Sequence, residues 1–201
     1  MTPLDAAARI AQLGSRLDPT DFTNVEQLHI CEDETPAEYA DMIADMVPET
    51  VTLNGALMTA RDIPALLHFS SLQGIIAHRI DFANMLLRAI IKTSDLQSIA
   101  MSHTSITDAD VAVLANRSGL TSIHFAGTQL TDIAMKTFGT LPDLELLDVS
   151  HTLVTNESLP QLRHLRNLFT IDARGTSVTV DGANEYRRLV SNSLPDIEVL
   201  V

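Results

Sequence analysis

A strict 24-residue period constrains this chain more than any other feature. Leu72, Leu96, Leu120, Leu144 and Leu168 stand 24 residues apart, and each opens a segment of the same pattern. The fourth residue of each segment is Ile75, Ile99, Ile123, Leu147 or Ile171, and the sixth is Ala77, Met101, Phe125, Val149 or Ala173. In four of them the ninth is Thr104, Thr128, Thr152 or Thr176, and the eleventh is Ile106, Leu130, Val154 or Val178. Looser copies begin at Val25 (Leu28, Ile30, Ala40, Ile43, Met46) and near Pro48 (Val51, Leu53, Met58, Ile63, Leu66, Phe69). After Leu168 the next strand-like start is Ile197, across a longer connection. The chain therefore reads as about seven repeats over residues 25–201, closed by a terminal strand at 197–201.

Each unit begins with alternating apolar and polar residues, as a short half-buried strand does. Apolar residues three apart follow: Val111 and Leu114; Met135, Phe138 and Leu141; Leu159, Leu162 and Leu165. That spacing marks one face of a helix. Thr107-Asp108 and Thr131-Asp132 precede these stretches and are suited to cap the helix start, and Pro64 and Pro160 are expected in a first turn. One strand and one helix cannot bury their apolar sides alone, but stacked copies build a continuous core. The expected class is α/β.

Repeats such as LTSIHFAGTQLTDIAMKTFGTLPD and LQSIAMSHTSITDADVAVLANRSG resemble leucine-rich repeats of the bacterial T-x-[IL]-T-D type, and are similar to those of F-box-associated receptors. The resemblance implies a right-handed solenoid with a parallel concave sheet and convex helices. Threonine stands in the column where the family has Asn or Cys. Thr155-Asn156 and Thr179-Val180 lack the aspartate, which leaves helix capping there open. Residues 1–24 are expected to form an N-terminal helical cap, with Thr2 as N-cap and Ala6, Ile10, Leu13 and Leu17 as its apolar stripe. At the other end Ile197–Val201 forms an apolar edge strand, open to pairing with a second copy.

Composition narrows the function. Apolar residues make up 45% of the 201, enough to build a core and to exclude a disordered chain. Acidic residues outnumber basic ones 26 to 13, which argues against a nucleic-acid partner, since phosphate binding needs a basic face. Much of that acidity lies in residues 1–50, so it says little about the repeats. A single cysteine, Cys31, excludes an internal disulfide. No leader-like N-terminus and no long apolar run is evident, so a soluble cytoplasmic chain without membrane contact is expected.

Leucine-rich repeats generally bind proteins through the side chains between their core leucines. Read across the units, those columns hold His78, Arg79, His103, His124, Asp148, His151, Asp172 and Arg174. Their residue types suit a specificity-giving, pH-responsive binding surface. His124, Asp148 and Asp172 fall in one row on consecutive strands, a metal or acid–base grouping in principle, although a flat row does not converge easily on one ion. Ser102-His103 and Ser150-His151 are poor nucleophile–base pairs, because neighbours on a strand face opposite ways. No phosphate-cradling, nucleophile-elbow or zinc-protease motif occurs. The reading is a non-enzymatic protein-interaction scaffold that needs no cofactor and binds an unidentified protein partner on its concave face. The alternatives are a substrate-receptor or effector domain of a larger assembly and a metal-dependent hydrolase using the concave His and Asp residues.

Overall fold

A computed structural model describes residues 27–30, 50–54, 60, 63, 72–92 and 95–201. The expected helical cap at 1–24 lies outside them. The chain divides into two compact units, Met1–Leu96 and Gln97–Val201.

In the first unit, strands β1 (Gln27–Ile30), β2 (Thr50–Asn54) and β3 (Gly74–His78) pair in parallel in that order. Leu28 lies opposite Val51 and Val51 opposite Ile75, so the looser early repeats keep the register that the period requires. Helix Ala83–Ile90 follows β3 and buries Ala83, Leu86, Leu87 and Ile90, the i, i+3, i+4, i+7 stripe of an amphipathic helix.

In the second unit, five parallel strands pair in sequence: β4 (Ser98–Ala100), β5 (Ser122–His124), β6 (Leu146–Asp148), β7 (Thr170–Asp172) and β8 (Glu198–Leu200). Ile99, Ile123, Leu147, Ile171 and Val199 form one cross-strand row, the first four wholly buried. The three-residue strands understate the ladder. Backbone bonds such as His103 N–H to the Ala126 carbonyl and His151 N–H to the Arg174 carbonyl, both 2.8 Å, carry it past their ends. Parallel strands joined through helical segments make this the leucine-rich-repeat α/β solenoid arrangement.

The threonine column turns the chain out of each strand. The hydroxyls of Thr104, Thr128, Thr152 and Thr176 donate back to the carbonyls of Met101, Phe125, Val149 and Ala173, at 2.5 to 2.7 Å. Threonine thus satisfies the carbonyl of its own turn locally.

The helical segments depart from expectation in one respect. Pro160 does not stand in a first turn. The segment Asn156–Leu162 starts four residues earlier and is a 3-10 helix that contains the proline. Its apolar residues Leu159, Leu162 and Leu165 are all buried, and a spacing of three matches 3.0 residues per turn. The first repeat of this unit is similar, with a short α-helix Asp108–Val111 running into a 3-10 turn Ala112–Leu114. Full α-helices occur at Asp132–Phe138 and Val180–Val190, the latter filling the longer final connection. No helix among the described residues is long and apolar enough to cross a membrane.

The edge strand β8 is not bare. Its Glu198 N–H and Leu200 carbonyl point toward β7, so Val199 turns its backbone groups outward. The Arg187 guanidinium donates to the Val199 carbonyl at 2.7 Å and to Asn184 Oδ1 at 2.9 Å. A side chain from the last helix therefore covers the outward acceptor that a pairing strand would use.

Candidate functional site: the polar row of the sheet

His124, Asp148 and Asp172 end strands β5, β6 and β7, and lie directly opposite one another in register. The period dictates this placement, and alternation turns all three away from the buried Ile123, Leu147 and Ile171. Ser122, two residues before His124 on the same face, donates to or accepts from His124 Nε2 at 3.0 Å. His124 Nδ1 faces Asp148 Oδ2 at 3.6 Å, an ion-pair separation rather than a hydrogen bond. The other Asp148 oxygen accepts the Ser150 backbone N–H at 2.9 Å. Partial burial raises the Asp148 carboxyl, but His124 and the Ser150 donors outweigh it and hold the group below its ordinary value.

Asp172 is occupied differently. Arg174 folds back along its own strand, with Nε 3.0 Å and 3.2 Å from the two carboxylate oxygens and Nη2 2.5 Å from Oδ2. The Arg174 backbone N–H adds a bond at 3.1 Å. Those contacts raise the guanidinium further above its ordinary value. The Arg174 side chain is 63% exposed while that of Asp172 is 12% exposed, so the carboxylate anchors a cation presented to solvent.

His103 and His151 occupy another position altogether. With Arg79, Gly127 and Gly175 they form a column spaced by 24 residues, each member in the left-handed region at φ between 54° and 70°. The two histidines pack sideways: a Cβ on Gly127 would lie 2.4 Å from His103 Nδ1, and one on Gly175 would lie 2.4 Å from His151 Nδ1. Each imidazole thus covers the glycine of the following repeat. In the first unit His78 ends β3 half-buried, and Arg79 follows it exposed.

The row brings His124, Asp148, Asp172 and Arg174 together, and it adds Ser122, which the column-by-column reading passed over. The available signal was Ser-x-His on one strand, since residues two apart share a face. Hydroxyl, imidazole and carboxylate stand in the order used by acyl-transfer enzymes. The backbone donors beside them are already in use. Ser122 N–H donates to the Gln97 carbonyl and Phe125 N–H to the Asp148 carbonyl, so the flanking donors are committed to the ladder and not free to hold an oxyanion. Among the described residues no three His, Cys, Asp or Glu side chains form a metal-binding group.

The sequence matches no family model and no curated protein. Solved structures do resemble it. An internalin from Listeria monocytogenes aligns with 78% of this chain and 49% of its own, at 20% identity and a TM-score of 0.51. A TLR13 structure, solved with a single-stranded RNA, aligns with 76% of this chain and 25% of its own, at 19% identity and a TM-score of 0.51. The chain spans about half the length of the first of these and a quarter of the second. At such identities the likeness concerns the fold, and that fold is the leucine-rich-repeat solenoid.

Proposed function

We propose that this chain is a non-enzymatic interaction scaffold that binds a protein partner through the solvent-facing side of its sheet. The observation that carries the reading is the ordered polar row: His124 beside Asp148, and Asp172 holding Arg174 outward, on three consecutive strands in register. Side chains already held by their neighbours lose little freedom on binding, and an arginine presented at fixed geometry is a common interface anchor. His103 and His151, on the turn column beyond the strand ends, are proposed as peripheral contacts of this surface, and His78 and Arg79 as candidate contacts of the first unit's own sheet.

The test pairs His124→Ala with Arg174→Ala, two substitutions that remove no buried apolar group. Affinity for a partner captured by the wild-type chain should fall about tenfold or more, with the melting curve preserved. Unchanged affinity would remove the sheet face from consideration.

A further inference from the structure

A second site lies away from the sheet, between the 3-10 helix Asn156–Leu162 and helix Val180–Val190. These segments enclose a half-open groove of about 570 Å³, in the size range of ligand-binding clefts. Leu159, Pro160, Tyr186 and Leu189 give it an apolar lining. Leu189, on the rim of the groove, is 53% exposed.

Tyr186 makes this groove more than a dent. It is 1% exposed, and its hydroxyl has no hydrogen-bond partner. It stands in the column filled by Phe138 and Leu162 in the two preceding repeats, where an apolar side chain suffices. A buried hydroxyl without a partner is costly, and it is retained here in the wall of a cleft. Burial also pushes the phenol up, so it remains a neutral donor and acceptor.

The charge at the rim selects the occupant. Glu157 and Glu185 stand at the groove, both exposed, against a single arginine, Arg188. We propose that this groove docks a basic segment of a protein partner, an aliphatic side chain entering over Tyr186 while lysine or arginine neighbours meet Glu157 and Glu185. The site is independent of the sheet-face reading, and either can fail without the other.

The probe is a synthetic peptide of alternating leucine and lysine, with a leucine–glutamate peptide as its counterpart, titrated into the isotope-labelled full chain. Amide shifts should move at residues 156–160 and 182–189 with the basic peptide and stay still with the acidic one. Reversing the rim with Glu157→Lys plus Glu185→Lys should weaken the basic peptide roughly tenfold. A control of equal charge change, Glu145→Lys plus Glu198→Lys, should cost less than about twofold. Shifts centred on the sheet face, equal losses from both reversal pairs, or equal binding of the acidic peptide would each overturn the proposal.

Discussion

Asp132 accepts two hydrogen bonds from Thr155, one repeat further along the chain: the backbone N–H at 2.7 Å and the hydroxyl at 2.8 Å. Asp108 holds Thr131 in the same way, at 2.9 and 2.7 Å. Asn156 does so for Thr179, accepting its N–H at 2.9 Å and donating to its hydroxyl at 3.0 Å. The Asp or Asn after each cap threonine is therefore a staple between successive repeats. The threonine itself caps the helix: Thr131, Thr155 and Thr179 accept from Ile133, Glu157 and Gly182 N–H groups. Loss of the aspartate at 156 thus leaves the capping intact.

Removing one staple should be felt across the repeat boundary. Asp132→Ala is expected to destabilise the chain by about 1–3 kcal/mol, because it strands the Thr155 N–H. Asp132→Asn should cost less than about 1 kcal/mol, since Asn156 shows that an amide serves. Urea unfolding measures both, and an alanine variant as stable as the wild type would contradict the staple.

The histidine-on-glycine contact is equally open to test. Gly175→Ala places a Cβ 2.4 Å from His151 Nδ1 at a residue whose φ is +70°, and should cost about 1–3 kcal/mol. His151→Gly removes both the ring and a left-handed non-glycine residue, which alone costs about 1 kcal/mol. Combining the two should recover part of the alanine defect, and strictly additive effects would show that ring and glycine are uncoupled.

Acid should act through Asp148. Its carboxyl titrates below its ordinary value in the folded chain. Its contribution is therefore complete above the unfolded-state value, about pH 4, and is lost as pH falls through the lower folded value. Asp148→Asn should lower stability at pH 7 and narrow its gap to the wild type below about pH 4. Thermal unfolding across pH 2–7 reads this directly, and a gap that widens in acid would contradict the assignment.

Arg187 should control self-association. With its guanidinium on the outward Val199 carbonyl, the β8 edge offers a reduced template to a second copy. Arg187→Ala frees that acceptor, and sedimentation should show a concentration-dependent larger species absent from the wild type. A variant that sediments like the wild type at all concentrations would show that Arg187 does not guard the edge.

Much of this architecture was legible because a 24-residue period fixes register outright: once Ile99, Ile123, Leu147 and Ile171 share a column, the strands bearing them must pair as they do. Helix type was not legible. Leu159, Leu162 and Leu165 fit α and 3-10 spacing alike, and only the placement of Pro160 inside the segment separates them. The row His124–Asp148–Asp172 also followed from register, but the Arg174 fold-back depends on rotamers that spacing does not specify. His103 and His151 shared a column with Gly127 and Gly175, a signal of left-handed backbone that the binding-face reading did not use. Tyr186 carried no signal of its own, because its hydroxyl is informative only once its surroundings are known.

The most direct test of the central claim asks which face touches the partner. A photo-crosslinking residue placed at Ala126, two residues beyond His124 on the same side of the chain, should form a covalent adduct with the bound protein. The same residue at Lys136, exposed on helix Asp132–Phe138, should form none. Adducts from Lys136 and none from Ala126 would contradict a partner bound on the sheet.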